Sequence, residues 1–89
     1  MRPLRVYGWQ GWRADVCEHG HHTTREIVAA PSMAAVGRIM GSSPRQLFNL
    51  CETGNAEEIA TATAAPGAVF YRALNDYRAP WIRATEEDA

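Results

Sequence analysis

The chain has 89 residues, 46% of them hydrophobic and 21% charged, with a formal net charge of −1. Those figures describe one small globular domain near the lower end of what supports a core without staples, and leave no room for a second. The near-neutral charge argues against a strongly basic nucleic-acid binder, and no apolar run approaches the roughly 20 residues of a membrane span.

The Met1-Arg2-Pro3-Leu4-Arg5 start lacks the apolar segment of a secretory signal, so the expected location is the cytoplasm and no membrane partner is expected. Cys17 and Cys51 are then expected as free thiols. Three of the ten acids, Glu86, Glu87 and Asp88, lie at the end, which leaves residues 1–85 with nine arginines against seven acids, a balance of +2. Every basic residue is Arg, a planar bidentate donor. With abundant Ala, that usage also reads as the mark of a GC-rich genome.

Residues 4–12, LRVYGWQGW, are aromatic and β-branched with a period of two, predicting a strand with Leu4 and Val6 on one face and Arg5, Tyr7 and Trp9 on the other. A polar loop follows, and TTREIVAA predicts a second strand over 23–30, antiparallel to the first and ended by Pro31. Ser32 can cap a helix that places Met33, Val36, Gly37 and Met40 on one face. After a turn at Gly41-Ser42, Ser43 at N-cap, Pro44 at N1 and Gln46 at N3 form a capping box for a second helix burying Leu47, Leu50 and Cys51. The small Gly37 lets the two helices approach. Asn55 caps a third helix with Glu57 and Glu58 in its first turn, where the helix dipole favours acids, and Pro66-Gly67 stops it. Residues 68–74, AVFYRAL, predict a third strand beside the first, and a short extended piece is expected around Trp81-Ile82. The expected architecture is β-β-α-α-α-β, an α+β domain over residues 1–84 with three short helices on one face of a three-stranded antiparallel sheet, and a disordered acidic tail at 85–89.

The helix pair resembles a helix-turn-helix, whose second helix would offer Arg45, Gln46 and Asn49, residue types that pair with guanine and adenine edges in the major groove. Against DNA binding stand Ser42 at a turn position that often buries an aliphatic and the lack of flanking basic residues to grip phosphates. The alternative is a plain helical corner packed on a sheet. If the helices cover one sheet face, Tyr7 and Trp9 point to the other, where with Arg5 and Arg25 they have the composition of a protein-binding hot spot. Trp81 folding back over that face is the competing arrangement. Cys17, Glu18, His19, His21 and His22 crowd one loop, yet lack the two separated ligand pairs of a structural zinc site, so no metal and no cofactor is expected. No nucleophile elbow, phosphate-binding glycine loop or metalloprotease helix appears, and no enzyme is expected.

The succession TREIVAA, a capped short helix, SPRQLFNL, TGN-x-EE, APG and an aromatic strand with Arg looks like a group of small uncharacterised proteins of actinobacteria and their bacteriophages. That resemblance spans Val6 to about Trp81 and carries no catalytic signature. It implies a cytoplasmic accessory protein whose work is binding. The expectation is therefore a small non-enzymatic protein, phage-encoded or host-encoded, that docks on a host protein, with DNA reading through the second helix as the alternative and a homodimer as one arrangement for it.

Overall fold

In the computed structural model, which describes residues 4–16, 22–74 and 76–84, the aromatic run at the start forms strand β1, Arg5–Trp12, and the following run forms β2, Thr23–Ala30. The two pair antiparallel from Arg5 opposite Ala30 to Trp12 opposite Thr23. Successive side chains point to opposite sides, so this register sorts two sheet faces. Tyr7 and Trp9 share the first face with Val28 and Ala30, and Val6 shares the second with Ile27 and Ala29. All seven of these positions are apolar and all are buried.

Helix α1, Met33–Met40, lies on the first face, where Ala35 and Val36 pack with Tyr7, Trp9, Val28 and Val69. Ser32 caps it as expected, its hydroxyl accepting from the Ala35 N–H at 3.2 Å. Gly41 ends it with φ 68°, a left-handed conformation glycine adopts without steric cost. The chain then returns so closely that a β-carbon on Gly37 would come within 2.7 Å of the Ser42 carbonyl oxygen and 2.9 Å of the Pro44 ring.

The expected second helix stops after one turn. Ser43 and Gln46 do form the capping arrangement, with the Gln46 side chain accepting from the Ser43 N–H at 3.1 Å, but only Pro44–Gln46 is helical, as a 3₁₀ turn. Residues Phe48–Glu52 instead form β3, antiparallel to the free side of β1. Two physical terms outweigh the cap. A nine-residue helix containing Phe, Asn and Cys is marginal alone, and the β1 edge offers a ladder of backbone partners. Leu47 and Leu50 still reach the first-face core. Between Gly8 opposite Cys51 and Gln10 opposite Phe48 the register slips, and Asn49 takes φ 60° in the resulting bulge.

Helix α2, Ala56–Thr63, is capped by Asn55, whose side chain accepts from the Glu58 N–H at 3.0 Å. It covers the second face through Ala62, which packs with Val6, Ile27 and Ala29. Strand β4, Phe70–Ala73, pairs with β2 and not beside β1, whose outer side β3 has taken. The piece around Trp81-Ile82 becomes β5, Ile82–Arg83, paired with β4. The class is α+β, but the described residues form a five-stranded antiparallel sheet in the order β3-β1-β2-β4-β5 with one helix on each face, not three strands with three helices on one. The tail expected over 85–89 lies outside the described residues.

Candidate functional site

Most of the polar groups on the sheet are consumed internally. Glu26, 2% exposed on β2, accepts two bonds from Arg13 at 2.9 and 3.0 Å and one from the Thr24 hydroxyl at 2.7 Å. Arg13 also lies over the Tyr71 ring at 4.1 Å, and the Tyr71 hydroxyl donates to Asp15. Burial is the largest single influence and opposes the Arg13 charge, but the bonds to Glu26 together with the charges of Glu26, Tyr71 and Asp15 hold its pKa above the ordinary value. Arg25 donates twice to Glu58, at 2.8 and 2.9 Å, and Glu58 takes a third bond from the Thr53 hydroxyl at 2.7 Å. The Arg25 bond, supported by that of Thr53 and opposed by burial, holds the Glu58 carboxyl below the usual carboxylate range. Arg72 donates to Glu57 and lies over the Trp81 ring at 4.2 Å.

Two glycines make room for this network. A β-carbon on Gly8 would lie 2.4 Å from the central carbon of the Arg25 guanidinium, and one on Gly11 would lie 2.4 Å from a Glu26 carboxylate oxygen. The glycines in β1 are thus sites where a charged group crosses the strand.

The expected docking residues Tyr7 and Trp9 are 4% and 1% exposed and belong to the core. Placing every helix on one face left theirs bare, whereas α1, Met40, Leu47 and Leu50 cover it. Arg5 is exposed and meets Glu52 at 3.4 Å, an ion pair too solvated to contribute much. Arg25 is bound to Glu58, as described. Arg45, Gln46 and Asn49 are all exposed, but they are spread over a 3₁₀ turn and a bulged strand, so no second helix exists to enter a major groove. Gln46 is moreover bonded to its own cap, and Asn49 sits where a residue tolerant of positive φ is required. Cys51, expected on an apolar helix face, is exposed on β3. Of the Cys/His loop, Cys17, Glu18, His19 and His21 lie outside the described residues. The ring of His22 lies 5.2 Å from that of Trp12, and its Nδ1 lies 2.7 Å from the Val16 carbonyl oxygen. Among the described residues no group of three His, Cys, Asp or Glu could hold a metal ion.

The exposed aromatic surface is elsewhere on the same strands. Trp12 is 66% exposed and Phe48 64%. Gln10 is the register partner of both Phe48 on β3 and Arg25 on β2, and Trp12 lies two residues further along β1 on the same side. Trp12, Gln10 and Phe48 therefore occupy one stretch of the second face, at the end of the strands opposite the Val6, Ile27 and Ala29 end that α2 covers. Trp12 could have been assigned from sequence, since an offset of three positions from Trp9 puts it on the other face. Phe48 was hidden by reading its segment as helix.

A cleft of about 340 Å³ opens between Asp15, Arg72, Asp76 and Pro80. Its polar groups are occupied. Asp15 accepts from Tyr71, Asp76 accepts from the N–H groups of Arg78 and Ala79, and Arg72 donates to Glu57 and to the carbonyls of Tyr77 and Ala79. Among the described residues no helix is long and apolar enough to cross a membrane. Comparison with family models, curated proteins and solved structures finds no match to this chain.

Proposed function

We propose that this chain is a small non-enzymatic protein-binding module, and that it docks through the uncovered end of its second sheet face. The observation that carries this reading is the pair Trp12 and Phe48, each about two-thirds exposed on neighbouring strands of a sheet whose other large aromatics are tucked inward. Large exposed aromatics held on a rigid framework are enriched where proteins bind proteins, because they bury much area at little cost in side-chain entropy. Arg25, the register partner of Gln10 on the same face, is already engaged by Glu58. A partner therefore meets aromatic surface with few free charges, and binding should respond weakly to salt. Taken with the resemblance to phage and actinobacterial accessory proteins, the reading places the chain in the cytoplasm and makes the partner a host protein. DNA reading through a second helix is set aside with the helix itself.

The test is affinity capture from host lysate by the wild type, by Trp12→Ser/Phe48→Ser, and by Tyr77→Ser, which alters an aromatic that is 78% exposed but distant in sequence from that patch. The expected result is a partner retained by wild type and Tyr77→Ser in high salt and lost by the double variant. Equal capture by all three would overturn the proposal.

A further inference from the structure

Trp12 is the last residue of β1, and with two-thirds of its area in water it has little around it to fix its ring. What it does have is His22. The imidazole of His22 lies 5.2 Å from the Trp12 ring, centroid to centroid, with the two planes 52° apart. Separation and tilt both fall in the range that aromatic pairs favour over a face-to-face stack. The histidine is itself held. Its half-buried ring places Nδ1 2.7 Å from the Val16 carbonyl oxygen, and since a carbonyl only accepts, Nδ1 carries the proton. The His22 carbonyl accepts the Arg13 N–H at 3.1 Å, and the Arg13 carbonyl accepts the Val16 N–H at 3.2 Å. Backbone and ring of His22 are thus both tied to residues 13–16, the segment that leaves β1.

A ring anchored at two points can act as a stop for its neighbour. Trp12 turns about two side-chain torsions, and an aromatic already fixed in its bound orientation loses less entropy when a partner covers it. We infer that His22 is a positioning residue for the docking surface. Its ring holds the Trp12 indole in the orientation a partner protein meets, and the Val16 bond keeps the imidazole in place to do so. The consequence for binding rests on the docking reading, whereas the order of Trp12 rests on the ring contact alone.

Nitrogen-15 relaxation of the Trp12 indole N–H in the full, free chain tests the ordering, with the buried Trp9 indole as a rigid reference and Trp12→Phe to assign the signal. The expected order parameter is about 0.8 in the wild type and below about 0.6 in His22→Asn. His22→Asn keeps an amide donor for the Val16 carbonyl and removes the ring, so a role confined to bracing the turn leaves Trp12 as ordered as before. His22→Phe restores a ring without the Val16 bond and should return part of the lost order. Affinity for the captured partner should fall about fivefold in His22→Asn and recover in part in His22→Phe. A mobile wild-type indole, an indole equally ordered in wild type and His22→Asn, or a partner bound equally by both would overturn the inference. Capture that survives Trp12→Ser/Phe48→Ser removes the docking reading instead, and the indole order parameters then still decide whether His22 holds Trp12.

Discussion

Glu26 and Glu58 show how charge is handled one residue at a time. Each carboxylate is largely withdrawn from water and each is matched by a bidentate guanidinium and a threonine hydroxyl, the arrangement that makes burial of an ion pair tolerable. The guanidinium of Arg25 can swing into solvent if a methyl group appears on Gly8, whereas Glu26 has no such exit from Gly11. Gly11→Ala should therefore destabilise the chain by about 3 kcal/mol, the lower end for breaking a buried pair. Gly8→Ala should cost about 1 kcal/mol, since a stiffer unfolded chain offsets part of the lost pair. Urea denaturation of the two variants checks the order. Acid should act through Glu58. Its folded pKa lies below the ordinary 4.5, so the unfolded chain takes up the proton first. The stability Glu58 contributes is present above that value and is lost as pH falls through the folded pKa. Melting temperature measured against pH should fall below about pH 5 in the wild type, and Glu58→Gln should be less stable near neutrality with a shallower acid decline.

At the scale of elements, local signals identified what local physics decides. The alternation of β1, the β-branched run of β2, the Ser32 cap of α1 and the Asn55 cap of α2 all gave elements with boundaries close to those observed. The cap at Ser43 was also legible and is also formed, but a cap settles where a helix begins and says nothing of how far it runs. Residues 48–52 are decided by the free edge of β1, a partner more than thirty residues away in sequence, which no periodicity within the segment reveals. The two caps should differ in energetic weight accordingly. Asn55→Ala removes the acceptor for an N–H in a helix that packs on the core and should cost about 1 kcal/mol. Ser43→Ala, at the head of an exposed 3₁₀ turn, should cost only a few tenths of that in the same denaturation experiment.

For the whole molecule, the consequence of one helix on each face is that β1 and β2 are buried on both sides along half their length and open on one side along the rest. This arrangement inverts the roles the aromatics were expected to have. Trp9 becomes the core and Trp12 the surface, a distinction set by odd and even positions in one strand once the covering elements are known. Trp9→Ala should cost about 3–5 kcal/mol and leave little folded protein. Trp12→Ala should shift stability by no more than about 0.5 kcal/mol by thermal melting, because two-thirds of the side chain faces solvent and its ring contact is with His22 at the end of the strand. A residue that contributes so little to folding while presenting so much aromatic area is the basis of the docking proposal. Acrylamide quenching of tryptophan fluorescence, in the free chain and in its complex with the captured partner, tests that proposal most directly. Trp9 is 1% exposed and Trp81 is half-buried, so the readily quenched emission of the free chain comes from Trp12. The proposal predicts that complex formation removes this accessible fraction. A complex in which Trp12 is quenched as readily as in the free chain would contradict it.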